Sequence, residues 1–165
     1  MTRDVDFAEI RPEGADDARA VRALLLDAFE THAEADLVEA LRAAGDLVLG
    51  LIAEGEEGVA GYAAFSRATL DGRAALALAP VAVRKGRRIE GVGSRLVRAG
   101  LRELEGRFAG QIVVLGDPLW YDRFGFRLAP HVSCRWAGPN LLALPLGEQS
   151  EAAGEMRYAP AFDAL

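Results

Sequence analysis

The chain has 165 residues, 51% of them apolar and 27% charged, which suits one globular domain with one core. A net charge of −6 disfavours nucleic acid as the main partner, so the basic residues between Arg84 and Arg88 are a local feature of an acidic molecule. The single cysteine, Cys134, excludes an intramolecular disulfide, and neither a leader nor a membrane-spanning run is visible, so the expected compartment is the cytosol with no membrane partner.

In chain order, residues 5–11 read as a first strand broken by Pro12-Glu13-Gly14. Val21, Leu24, Leu25 and Ala28 have helical spacing within 16–29, and Asp16 and Asp17 suit its start. A second short helix begins at Thr31 or His32, presents Leu37, Val38 and Leu41, and stops at Gly45. Three strand signals follow at 47–54, 59–66 and 73–84, with Gly58 and Asp71-Gly72 as hairpin punctuation, which predicts an antiparallel meander. Pro80 inside the third removes a ladder donor, so that position is an edge, a bulge or a splay. A helix over 91–104 and a wholly apolar strand over 111–116 make a right-handed crossover between parallel strands. A short helix over 119–124 ends at Gly125, and strand fragments follow near 126–129, 132–136, 140–146 and 155–158. The expected fold is α+β: a single domain over residues 1–165, with one mixed, mostly antiparallel sheet of about seven strands and helices on both faces.

The junction between the third meander strand and its helix concentrates chemistry. Gly91 and Gly93 leave backbone amides bare at a helix start, where the first four N–H groups lack internal partners and the macrodipole favours an anion. Arg88 can add a charge-assisted pair and Ser94 a hydroxyl, so Arg-x-x-Gly-x-Gly suits a pyrophosphate. On the glycines and basic residues alone, a solvated helix start is the plainer account. Neither the Walker loop nor the dinucleotide fingerprint is present.

The wider pattern resembles the acetyl-CoA-binding motif of the GNAT superfamily of N-acetyltransferases. In that motif a strand ending in Val is followed by Gln/Arg-x-x-Gly-x-Gly/Ala opening a helix; here it runs from Val83 through Arg88, Gly91 and Gly93 to Ser94. Ile89 stands where the family usually has Gly, and Lys85 where Pro is frequent. A β-branched residue does not readily take φ > 0, so the loop differs locally from the family's. A second motif, Tyr121-Asp122-Arg123-Phe124-Gly125-Phe126, resembles the family's Tyr-x-x-x-Gly-Phe segment. The resemblance is clear over 47–129 and extends, with the first helices and the ending 154–158, to a small bacterial subgroup of undefined substrate.

The resemblance implies a GNAT-like fold with a splay between the fourth and fifth strands. It implies acetyl-CoA as cosubstrate, no metal, and an amine of a small molecule or peptide as acceptor. Backbone groups of Val81, Ala82 and Val83 would bind the pantetheine arm, and those of Arg88, Ile89, Glu90, Gly91, Val92, Gly93 and Ser94 the pyrophosphate. Tyr121 would be the general acid toward the departing thiolate; its plain alternative is packing beside Trp120, Phe124 and Phe126. Glu34 is the candidate general base, set against an ordinary solvated helix carboxylate and a water-relayed base. Asp117 reads as a helix cap before Pro118, and Cys134 as structural. His32 and His131 show no metal-site pattern. Two alternatives stay open: an acyl-CoA-binding or regulatory module without transfer, and a structural domain without cofactor. The chain is expected as a monomer or homodimer.

Overall fold

A computed structural model describes residues 8–86, 91–147 and 150–165. β1 (Glu9–Pro12) leads through a 3-10 turn at Ala15–Asp17 into α1 (Ala18–Ala28). Asp17 fixes that entry: it accepts from the Gly14 amide at 2.6 Å and from Arg11 Nη1 at 2.8 Å. The Arg11 guanidinium, then the Gly14 amide, hold its carboxyl well below the usual carboxylate range. α2 (Ala33–Ala44) follows and closes at Gly45, whose φ of +75° lets the amides of Gly45 and Asp46 turn back onto the last helical carbonyls.

β2 (Leu47–Gly55), β3 (Gly58–Leu70) and β4 (Arg73–Val83) form the expected meander. α3 (Val92–Leu104) crosses to β5 (Gly110–Leu115), which lies parallel to β4. α4 (Pro118–Tyr121), β6 (Arg127–Leu128), β7 (His131–Ser133), β8 (Leu141–Leu146) and β9 (Ala153–Tyr158) complete the chain, with a 3-10 turn at Pro160–Ala164.

The sheet runs β1-β2-β3-β4-β5-β8-β6, a seven-strand path to which β9 and β7 are added beside β3. β3 outruns the expected 59–66: its hairpin with β4 continues to Leu70 opposite Arg73, and where β2 stops at Ser66 β9 takes over the other edge, Ala68 facing Tyr158 and Leu70 facing Met156. Polar Ser66 and Arg67 hide this extension from a hydrophobic pattern; long-range pairing overrides it. Pro12 does not break the first strand but ends it, opposite Leu51 on the outermost strand, where a missing donor is tolerated. Residues 5–7 of the expected first strand lie outside the described residues.

The two faces of the sheet bury different layers. α3 presents Val92, Leu96, Val97 and Leu104 to Leu51, Ala53, Ala63, Phe65, Leu76 and Ile112. α1 and α2 cover the other face, with Val21, Leu24, Leu25 and Val38 against Ile52, Tyr62, Ala64 and Ala82. Gly100 lets α3 approach closely: a Cβ there would stand 2.4 Å from Phe65 Cε2. Gly100→Ala is therefore expected to lower the unfolding free energy by about 1–3 kcal/mol through overpacking, despite Ala's better helix propensity. Urea titration measures the loss, and adding Phe65→Leu, which shortens the obstructing ring, should recover part of it.

Candidate active site

The sheet itself opens the site. β4 and β5 pair over three positions, Ala75 with Gln111, Leu76 with Ile112 and Ala77 with Val113. Beyond Ala77, β4 stays with β3 as far as Val83, whereas β5 stays with β8 along its whole length. Past Ala77 and Val113 the two strands part. Pro80 sits where they do: Ala63 faces Val81 and Phe65 faces Leu78, so β4 carries one extra residue opposite Ala64. The bulge and the missing ladder donor fulfil the expectation for Pro80. The β5-facing edge of residues 78–83 is left without ladder partners among the described residues.

Two cavities meet at the parting. One, of about 450 Å³, is lined by Val81, Ala82, Val83, Gly91, Gly93 and Ser94, closed by Trp120, Tyr121 and Arg123. The other, of about 480 Å³, is lined by Glu34, Ala77–Val81, Val113, Tyr121 and an aromatic wall. Phe29, Val81 and Tyr121 border both. A further depression of about 520 Å³, around Ser133–Trp136 and Glu155–Tyr158, is somewhat larger and shares Trp136, Tyr158 and Phe162 with the second cavity, but takes no lining from β4, β5 or α3.

The first cavity ends at the start of α3. Gly91 caps α3 with φ +72° and no side-chain hydrogen bond, and the first amide returned into the helix is that of Arg95, to the Gly91 carbonyl at 3.1 Å. The amides of Val92, Gly93 and Ser94 precede that bond, which is the arrangement that favours phosphate. Gly93 is buried, and a Cβ there would stand 3.3 Å from Trp120 and 3.4 Å from Val83, so a larger side chain would fill the cavity wall. The side chains of Ala82 and Val92 point into the core, which leaves these residues their backbone for ligand contact. Arg88, Ile89 and Glu90, expected at the pyrophosphate, lie outside the described residues. Arg84 turns the other way, its Nη2 donating to the Val59 carbonyl at 2.6 Å.

Tyr121 stands at the mouth between the cavities. Asp117 caps the short helix that carries it, accepting from the Leu119 amide at 2.9 Å, with Pro118 at the first helical position. This is the expected capping role. The Tyr121 ring lies against Gly116, where a Cβ would stand 2.4 Å from Cε2, and edge-on to Trp120 and Phe126. Packing and cavity-lining thus coexist in one side chain. Burial pushes its phenol up to about 12, so it keeps its proton throughout the physiological range.

Glu34, in the first turn of α2, is half-buried, and its Oε2 is buried with no hydrogen-bond partner among the described residues. That is not the solvated helix carboxylate its position suggests. Neighbouring His32 instead engages Asp36, Nδ1 to Oδ2 at 2.5 Å. Among the described residues no group of three or more His, Cys, Asp or Glu is placed to hold a metal ion. No helix among them is long and apolar enough to cross a membrane. Cys134 is 4.0 Å from the Tyr158 hydroxyl, in the aromatic cluster with Trp136.

Sequence reasoning missed Arg123, which lies 5.4 Å over the Trp120 ring and 3.4 Å from Ser94 Oγ, and the wall residues Phe29, Trp136, Tyr158 and Phe162. Arg123 sits inside the Tyr-x-x-x-Gly-Phe segment, a usable signal; the wall residues are far apart in sequence and carry none.

The chain is similar to proteins of known kind. It is 45% identical over 134 residues to the uncharacterized N-acetyltransferase YhbS of Escherichia coli, a match covering 78% of this chain and 80% of that protein. It is 35% identical over 116 residues to the uncharacterized N-acetyltransferase YjhQ of Escherichia coli, covering 67% and 64%. Among solved structures, the GNAT family N-acetyltransferase YhbS from Escherichia coli in complex with CoA matches with a TM-score of 0.90 and 38% identity, over 99% of this chain and 96% of that one. A GNAT family acetyltransferase from Brucella melitensis in complex with acetyl-CoA matches with a TM-score of 0.83 and 34% identity, over 96% and 99%. No protein-family model matches the chain.

All three tyrosines, Tyr62, Tyr121 and Tyr158, are pushed upward chiefly by burial. Unfolded phenols ionise near pH ~10, so above that value the unfolded chain releases protons that the native chain retains. The stability they contribute is full below pH ~10 and is lost as pH rises toward the native values. Absorbance titration should show tyrosinate appearing together with loss of the circular dichroism signal, with no separate step near pH ~10.

Proposed function

Since the chain belongs to the GNAT superfamily of N-acetyltransferases, we propose that it moves an acetyl group from acetyl-CoA to an amine of a small molecule or peptide, by direct attack in a ternary complex. Residues 1–165 act in this reading as one N-acetyltransferase-like domain. The observation that carries it is the parting of β4 from β5 with Tyr121 at the mouth, bordering an anion-binding cavity on one side and an acceptor cavity on the other.

The fit to the cosubstrate rests on two features of the chain. The unpaired edge of residues 78–83 offers amides and carbonyls to an extended amide-bearing arm, and the α3 start offers amides to a pyrophosphate. Acetyl-CoA, when bound, supplies an activated acetyl thioester. Backbone N–H groups at Val81–Val83 hold the arm and donate to the carbonyl oxygen where negative charge develops. The Val92–Ser94 amides hold the diphosphate, with Arg123 beside Ser94 adding positive charge.

An acceptor amine of the lysine type has a pKa of about 10.4 and arrives protonated at neutral pH. Glu34 removes that proton, directly or through a water. It lines the acceptor cavity, which supports the assignment. Tyr121 donates its phenolic proton toward the sulfur as the C–S bond breaks. The phenol is neutral at the pH of reaction and so carries a proton to give, while burial, by pushing it up to about 12, makes it a weaker acid than a free phenol.

Two measurements test the proposal. Acetyl-CoA with an amine panel should release free CoA thiol, and Tyr121→Phe should lower kcat by roughly 100-fold, at the low end of acid–base effects, with the Kd for acetyl-CoA nearly unchanged. An unchanged rate would remove Tyr121 from the chemistry. In thermal unfolding, acetyl-CoA at 100 times its Kd should stabilise the wild type by about 2.7 kcal/mol. Gly93→Val, which fills the wall between Val83 and Trp120, should lose most of that gain at the same ligand concentration.

A further inference from the structure

The lining of the acceptor cavity speaks to which amine enters. Phe29 and Leu37 stand on one side, and Trp136, Tyr158 and Phe162 on the other. Glu34 is the only charged side chain among the described residues lining it. The aromatic wall is rigidly built. Trp136 meets Tyr158 edge-on with ring centroids 4.8 Å apart, and Phe162 stacks obliquely on Tyr158 at 5.0 Å. Arg135 braces it from behind, its guanidinium 4.5 Å from the Trp136 ring centroid while donating to the carbonyls of Phe162 and Leu165. At about 480 Å³ the cavity is in the range of ordinary small-ligand sites.

From this lining we propose that the acceptor is a small monoamine with an apolar body, arylalkyl or branched alkyl, whose ammonium group is held by Glu34. The inference rests on the acetyl-transfer reading for what then happens to that amine, but the binding it describes does not. Glu34 gives an entering ammonium the one charged side chain among the described residues lining the cavity. The aromatic wall takes the apolar body, whose burial removes it from water. A polyamine would bring further cations to a lining whose described residues hold one charged side chain, and an aminosugar several hydroxyls to a mostly apolar one; each polar group left unpaired costs roughly 5- to 150-fold in binding. A long acyl group on the donor could also fill apolar space, but it would cover the Glu34 carboxylate without satisfying it.

The test compares phenethylamine, spermidine and glucosamine as acceptors with acetyl-CoA, by thiol release, alongside calorimetric binding of phenethylamine to the CoA-loaded protein. A kcat/KM for phenethylamine at least 10-fold above both others supports the proposal. Equal or faster turnover of spermidine or glucosamine overturns it and leaves acetyl transfer standing. A preference for hexanoyl-CoA over acetyl-CoA with a short amine such as ethylamine also overturns it, by making the cavity an acyl pocket. Trp136→Ala, confirmed folded by circular dichroism, should raise the KM for phenethylamine about 10-fold with the KM for acetyl-CoA unchanged; an unchanged phenethylamine KM counts against the wall. Glu34→Gln should weaken phenethylamine binding about 10-fold in the CoA-loaded protein, a readout independent of any base role. If no amine is turned over yet phenethylamine binds and Glu34→Gln weakens it, the transfer reading fails and the cavity assignment holds. If phenethylamine does not bind, the assignment fails.

Discussion

β4 and β5 are parallel neighbours that share three residue pairs and then answer to different partners. β4 is held to β3 up to Val83, with the bulge at Pro80, and β5 is held to β8 from Gly110 to Leu115. Backbone hydrogen bonding is nearly obligatory in a folded chain, so strands take the partners that satisfy most of their groups. Here the β4–β5 ladder stops just before the bulge at Pro80, and the facing edges are left for a ligand. The cleft between them is a consequence of the sheet's own pairing and needs no special flexible element.

What fills the edges of the cleft follows from small residues placed against large ones. Gly116 gives the Tyr121 ring a seat at the end of β5, and Gly93 gives Trp120 room beside the first turn of α3. Gly61, in β3, lets Val92 and Leu96 press onto the sheet, which fixes where the α3 start points. The amides at that start and the Tyr121 hydroxyl are therefore positioned by the core itself. The same burial pushes the phenol up to about 12.

The meander, the crossover helix and the capping at Asp117 and Gly45 were all legible because each rests on local chemistry: turn glycines, periodicity and short-range caps. The Pro80 irregularity was legible for the same reason. The pairing of β3 with β9 was not, since its partners lie about ninety positions apart, as Ala68 facing Tyr158 shows, and neither was the β7–β9 pairing, whose three residue pairs are too short a run for a hydrophobic alternation to show. Val81–Val83, Gly91, Gly93, Ser94 and Tyr121, which the family resemblance groups together, line one cavity. Glu34 was placed on the right helix, but its burial could not be seen, because burial is set by Phe29, Leu37 and the distant wall of Trp136, Tyr158 and Phe162. No local pattern announces a wall assembled from both ends of a chain.

The most direct test is a crystal structure of the protein grown with CoA. The thiol-bearing arm is expected to lie between residues 78–83 and the end of β5, hydrogen-bonded to the backbone of Val81–Val83. Its diphosphate should rest on the amides of Val92–Ser94 and its sulfur face the Tyr121 hydroxyl. A CoA bound elsewhere, or a β4–β5 ladder that continues unbroken past Ala77 and Val113 with no space between the strands, would contradict the account.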